Sequence, residues 1–174
     1  MSRDSLLRQI DPYRFAENGA DFCGSLSIKN MARLCPSLFT DEGEVEVSVS
    51  FGIDQQGVKF VKGHFATQVI LQCQRCLESF SYHMAGDFNA GMVNTEEAAN
   101  KLPGNYDPLI IKEDVLIIQD IIEDELILSL PLVPMHNLES CKVKLPVIVA
   151  DNAEITKKAN PFRVIETLKK KDSE

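Results

Sequence analysis

The residues best equipped for chemistry are two pairs of soft, ligand-type side chains. Cys73-Gln74-Arg75-Cys76 places two thiols two residues apart, and His136 and Cys141 follow roughly sixty residues later. A C-x-x-C spacing lets both thiolates reach one ion without strain, and zinc takes Cys and His ligands at about 2.0–2.3 Å. Four protein ligands close a tetrahedral site, which makes it structural because no position stays open for substrate. The plainer alternative is a β-turn carrying two half-buried thiols. Two features weigh on that side. Leu77-Glu78 follows the second cysteine, so the knuckle lacks the glycine that usually lets backbone N–H groups turn toward the sulfurs. The interval between His136 and Cys141 is also common by chance.

Other chemistries find less support. A thioredoxin-type C-x-x-C opens a helix, whose N-terminus lowers a thiol pKa; here Cys73 ends a strand-like run and Glu78 adds negative charge. No phosphate-binding loop, dinucleotide fingerprint, H-E-x-x-H or nucleophile elbow is present. His64 and His83 stand singly inside alternating runs and read as sheet residues. Asp120, Glu123, Asp124 and Glu125 read as the solvent side of a helix. With no nucleophile–base–orienter set to name, a nuclease or redox enzyme is the weakest alternative. The aromatics Phe60, Phe65, Phe80, Tyr82 and Phe88 fall on the apolar side of the pattern and predict core packing rather than base stacking. The candidates for contact with RNA or a partner are Arg75 and the tail cations Lys157, Lys158, Arg163, Lys169, Lys170 and Lys171.

The elements that must position these groups are legible in the periodicity. Asp11-Pro12 through Asn18-Gly19 is punctuated as a short helix. Phe22 to Leu26 reads as a strand, and Ser27 can cap a helix through Ile28, Met31, Ala32 and Cys35 that Pro36 stops. Val45, Val47, Val49, Phe51 and Ile53 alternate with small or polar residues, the pattern of a half-buried strand. Asp54 to Gly57 turns the chain, and Val58 to Phe60 returns it. Alternation resumes after Gly63, a predicted bulge or kink, and continues from Phe80 to Met92 beyond the cysteines. Glu96 to Pro108 reads as an exposed loop, with a further strand at Leu109 to Ile111. From Ile118 the period becomes helical, and Ile118, Ile121, Ile122 and Leu126 form one apolar stripe up to Pro131.

These elements predict an α+β fold: an antiparallel meander of about five or six strands, curled toward a barrel, packed by the central amphipathic helix and flanked by short terminal helices. The expected organisation is one domain over 1–146, a flexible linker over 147–159 and a basic helical tail over 160–174. A chain of 174 residues with 44% hydrophobic content can bury such a core. The N-terminus carries charge with no apolar stretch behind it, so no signal peptide is expected, and the longest apolar run is far too short to span a bilayer. Five cysteines, an odd number, suit a reduced compartment. These features favour the cytoplasm as the expected location.

Charge bounds the partners. The formal net charge is −8, whereas a protein that coats phosphates should be basic. The distribution is uneven: Glu96 to Glu125 holds nine acids against two bases, and Lys142 to Lys171 holds eight bases against three acids. Besides Arg75, the expected electrostatic footing on RNA, or on an acidic protein partner, is that tail; the plainer reading of both blocks is solvated surface.

Four blocks in this order carry a resemblance. They are Cys73-Gln74-Arg75-Cys76 after an alternating strand; Ala98 to Pro108 with its Leu102-Pro103 and Tyr106-Asp107-Pro108; Glu123-Asp124-Glu125 through Pro134 with His136 and Cys141; and Asn160-Pro161-Phe162 to Lys171. The chain closely resembles the YceD family, the bacterial large ribosomal RNA subunit accumulation proteins, and looks like its proteobacterial branch. The resemblance implies a cytoplasmic, non-enzymatic protein that supports synthesis, processing or stability of 23S rRNA. Its expected partner is a large-subunit precursor, met through the RNA or a protein bound to it, with no membrane and no small-molecule substrate. It supplies no catalytic residues. Zinc at Cys73, Cys76, His136 and Cys141 remains a reading of the residues themselves. The alternative function is a direct rRNA-binding module with a zinc-stapled knuckle.

Overall fold

Period-two alternation builds the centre of the fold. In the computed structural model, which describes residues 9–143, a strand β3 (Glu44–Ile53) buries Val45, Val47, Val49 and Phe51 and turns the residues between them outward. The chain begins with β1 (Gln9–Ile10), helix α1 (Pro12–Asn18) and β2 (Asp21–Ser27), and β3 is followed by β4 (Lys59–Gln72) and β5 (Ser79–Val93). A short helix α2 (Glu96–Ala99), β6 (Asp107–Ile110), β7 (Leu116–Ile117) and helix α3 (Ile118–Ser129) complete it. The predicted linker at 147–159 and tail from 160, with the six candidate cations they carry, lie outside the described residues.

Strands β2 to β5 form the predicted antiparallel meander, and β6 joins β5 in parallel to give the order β2-β3-β4-β5-β6. The sheet is open: β2 and β6 are its edges and do not pair, so the expected curl into a barrel is not realised. The inner face is covered by α3 instead. Its stripe Ile118, Ile121, Ile122 and Leu126 packs with Val45, Phe65, Val69 and Leu71 in a single core. Once a helix fills that face, closure by further strands has nothing left to bury.

Several local expectations change for identifiable reasons. The segment after Ser27 forms two 3-10 turns, Ile28–Asn30 and Cys35–Ser37, rather than one helix. Ile28 in the first turn and Met31 and Leu34 between the two are all fully buried, so the segment is held by its apolar side chains rather than by a continuous helix. Glu123 is not on the solvent side of α3; it is 4% exposed. Its carboxylate accepts the backbone N–H groups of Arg33 and Leu34 at 2.6 and 3.0 Å and the Arg33 Nε–H at 3.1 Å. The Arg33 guanidinium also pairs with Asp124. A buried carboxylate this well supplied with donors ties α3 to the 28–38 segment. Within the predicted loop, the Thr95 hydroxyl caps α2, and Asp107-Pro108 opens β6, where an edge strand tolerates proline.

Gly63 is not a bulge, because the β4–β5 register runs through it unbroken. It faces Phe88 across the strands, and Gly86 faces Phe65 in the same way. Each aromatic ring lies over the glycine opposite it and fills the space that a side chain would take. A Cβ at Gly63 would come within 2.6 Å of the Phe88 ring and 2.7 Å of the Ser48 carbonyl oxygen. The carbonyl belongs to the ladder and cannot yield. Gly63→Ala is therefore expected to lower stability by about 1–3 kcal/mol in a denaturant titration. Gly104→Ala, with no atom near its Cβ, should change little.

Candidate metal centre

The connection between β4 and β5 makes the knuckle. Cys73 N–H donates to the Glu78 carbonyl and Leu77 N–H to the Cys73 carbonyl, both at 2.8 Å. So tight a reversal needs one left-handed residue, and Leu77 provides it with φ of 63°. The glycine conformation is thus present without the glycine. Leu77 carries the steric cost, about 1–2 kcal/mol for an L-residue, and with 67% of its surface exposed it recovers little by packing. The result is the arrangement that the missing glycine argued against. The backbone N–H groups of Arg75 and Cys76 turn toward the Cys73 sulfur, and that of Glu78 toward the Cys76 sulfur.

The second pair arrives from α3. Pro131 and Pro134 keep the chain extended beyond the helix, and the Pro134 carbonyl accepts the Gln74 N–H at 2.9 Å. The His136 N–H also reaches the Cys73 sulfur. The Asn137 carbonyl then accepts the N–H groups of Ser140 and Cys141, each at 3.1 Å, which turns Cys141 back into the site. Lys142 and Glu78 form an ion pair across the outside.

All four ligand atoms of Cys73, Cys76, His136 and Cys141 lie within 4.8 Å of one another. The Cys76 sulfur is 3.3 Å from His136 Nδ1. Sulfurs around a tetrahedral zinc stand about 3.8 Å apart, given the Zn–S length. The spacing therefore fits that ion, as does a donor set of three sulfurs and one imidazole nitrogen. Cys73 and Cys141 are buried and the other two half-buried, while the Phe80 ring packs on the imidazole with centroids 4.9 Å apart.

Electrostatics distinguish the thiols. Burial pushes the Cys73 thiol up, but the N–H groups of His136, Cys76 and Arg75 outweigh it and hold the thiol down at about 5. For Cys76 the Glu78 N–H pulls down, yet burial and the neighbouring Cys73 and Cys141 leave its thiol above the ordinary value. Several sulfurs so close cannot all ionise unaided, and a cation among them removes that conflict. Arg75 contributes a positive charge from outside: its Nε–H donates to the Cys141 sulfur and its terminal N–H to the His136 carbonyl, both at 3.0 Å. Those contacts commit the guanidinium to the centre.

The other singled-out groups lie elsewhere. His83 Nδ1 sits 3.1 Å from the Thr67 carbonyl oxygen, and His64 Nδ1 sits 2.8 Å from Asp87 on the solvent face of the sheet. Phe65 and Phe88 are buried, and Phe80 and Tyr82 are partly buried against the core. Phe60 departs from expectation: it shares the outward parity of Lys62 and His64 and stacks on Tyr106 at 6.2 Å. Among the described residues no helix is long and apolar enough to cross a membrane.

Comparison with known proteins agrees with the four-block resemblance. The family profile described as Large ribosomal RNA subunit accumulation protein YceD matches residues 61–169. A curated relative from Haemophilus influenzae, named Large ribosomal RNA subunit accumulation protein YceD, is 34% identical over 98% of this chain and 100% of its own length. No solved structure matches.

The left-handed residue gives a direct test of the knuckle. Leu77→Gly is expected to raise stability by about 0.5–1 kcal/mol, because glycine adopts φ > 0 freely. Leu77→Ala keeps the strain and should bring no gain. Chemical denaturation of the three proteins side by side decides it, and a loss of stability in Leu77→Gly would contradict the assigned backbone.

Proposed function

Because the chain belongs to the YceD family, we propose that it promotes accumulation of the large ribosomal RNA subunit by binding, without turnover, to a large-subunit precursor in the cytoplasm. The action supports synthesis, processing or stability of 23S rRNA. The observation that carries this reading is the 34% identity to the curated relative over 98% of this chain. Binding without turnover is supported by the four-residue ligand set, which would leave no vertex for a substrate. In this reading Cys73, Cys76, His136 and Cys141 hold a structural zinc ion. That ion on three thiolates and a neutral imidazole would leave one negative charge, which Arg75 balances from its place beside Cys141.

Charge favours a protein intermediary over broad contact with RNA. Residues 9–143 carry twenty acids against nine bases, and a surface of that sign repels phosphates. Direct RNA binding through Lys157, Lys158, Arg163 and Lys169 to Lys171 is the second reading, favoured by the eight bases against three acids in the Lys142–Lys171 stretch. The salt dependence separates the two. A slope near zero in log K against log salt, for purified protein and rRNA fragments, leaves the protein intermediary standing, and a steep slope supports the tail.

Two outcomes are expected. Affinity capture from growing cells should recover the protein with large-subunit precursors, and the association should survive RNase where a protein mediates it; absence from those precursors would refute the function. Elemental analysis should find about one zinc per chain, lost in Cys76→Ser and Cys141→Ser. In a chelator competition Arg75→Ala should weaken the metal by about 10–100-fold, the usual effect of removing an outer-shell partner. A metal-free protein of undiminished stability would end the zinc assignment while leaving the capture experiment untouched.

A further inference from the structure

We propose that the free edge of β2, with the trough beside it, is a docking site for an extended Lys/Arg-rich polypeptide segment that adds to the sheet as one more strand. The proposal rests on the reading of this chain as a binding factor, names the chemistry of a partner, and does not require the metal.

The backbone supplies the first argument. β2 pairs with β3 through seven consecutive residues from Asp21 to Ser27, and among the described residues it has no strand on its other side. Among the described residues no backbone hydrogen bond reaches Phe22 to Leu26 from that side. Exposed edges are usually blunted by lysine, proline or a bulge. β2 has none of the three: its sequence is Asp-Phe-Cys-Gly-Ser-Leu-Ser, and its register is unbroken. An edge of this kind offers an incoming strand a row of main-chain donors and acceptors.

Side chains supply the second. Register aligns Cys23, Ser48, His64 and Asp87 in one row across four strands, and Ser25, Glu46, Ala66 and Ala85 in the next. The short members of these rows leave a trough of about 570 Å³ on the solvent face, lined by Cys23, Ser25, Glu46, Ser48, His64 and Ala66. An added strand would lie about 4.8 Å from β2 and twice that from β3. Cys23 and Ser25 are too short to obstruct that path. A long side chain from the added strand can therefore cross β2 and meet the Glu46 carboxylate, and only Lys or Arg combines that reach with the matching charge.

Charge then selects among occupants. Neither β2 nor β3 contains Lys or Arg, while Asp21 and Glu46 stand on their outward face. The acid excess over residues 9–143 draws a cationic segment in and repels both RNA and a second copy of the same body.

The test uses the full chain, isotopically labelled, and a peptide of about ten residues, a common upper strand length, in which Arg alternates with Val or Thr. Titration followed by NMR should shift the amides of Phe22 to Leu26 and slow their exchange. Affinity should fall about tenfold or more in Glu46→Lys and in Asp21→Lys, and on raising salt. A peptide N-methylated at alternate residues keeps its charge and loses its donors, so it should bind far more weakly. Equal binding of the N-methylated peptide, shifts mapping away from β2, or a stronger response at β2 to an RNA oligonucleotide would each overturn the proposal. So would β2 amides already protected in a dimer seen by sedimentation, which would make a second copy the occupant. None of these results bears on whether the protein travels with large-subunit precursors, so the two readings fail separately.

Discussion

Three sulfurs and an imidazole held within 4.8 Å of one another set the terms for this structure. Groups of that kind crowd together only if something opposes their mutual repulsion and their loss of water. Part of the opposition is built into the backbone. Amides of residues 75, 76 and 136 converge on Cys73, and that of 78 on Cys76, so partial positive charge is fixed before any ion arrives. Arg75 adds a full charge at the rim. Such preorganisation requires a left-handed residue, and the strain at Leu77 is its local cost.

The rest of the molecule can be understood as what holds the two halves in register. The knuckle hangs between β4 and β5, two long strands paired through thirteen residues from Phe60 to Gln72, so its base cannot wander. The other half depends on α3. Apolar contacts fix the helix against the sheet, but a stripe of isoleucines can slide, since apolar packing is not directional. Glu123 removes that freedom. Its carboxylate meets two backbone donors and one guanidinium donor in fixed positions, which sets the helix along its axis and hence the place where Pro134 to Cys141 emerge. The approach of the four ligand side chains and the fit of α3 on the core are therefore linked, so a metal held there would be coupled to folding as in small metal sites.

How much of this can be read from the chain varies with the range of the cause. The strand from Val45 to Ile53 is legible because alternation is a local signal that needs no partner. The grouping of Cys73, Cys76, His136 and Cys141 is legible because thiols and imidazole are rare and their chemistry narrows the choices. Leu77 is not, since residue type signals a left-handed turn only when the residue is glycine or asparagine. Glu123 breaks the helical pattern because its burial depends on Arg33 and Leu34, ninety positions away in chain order. Phe60 could be placed correctly by parity alone: it is even-numbered, whereas Phe65, Thr67, Val69 and Leu71 point inward on odd numbers. The pairing of Gly63 with Phe88 is out of reach, because the six-residue knuckle fixes the β4–β5 register less tightly than a two-residue turn would.

Sheet and knuckle also divide the surface into regions with different uses. A half-buried antiparallel sheet ordinarily presents polar side chains to water and asks nothing further of them. Here Cys23, Ser25, Ser48 and Ala66 are short, and the acids Asp21 and Glu46 stand near an edge that no described strand covers. Among the described residues, Lys62 stands in the row of Asp21 but two strands from it across Ser50, and Arg75 is committed to the sulfurs. An acidic face left uncompensated costs solubility nothing, yet it lowers the stability of the compact state through self-repulsion. A cationic strand laid along β2 would relieve that repulsion and satisfy the open backbone in one step. The acid excess that would repel bare RNA would thus direct this body to basic polypeptides.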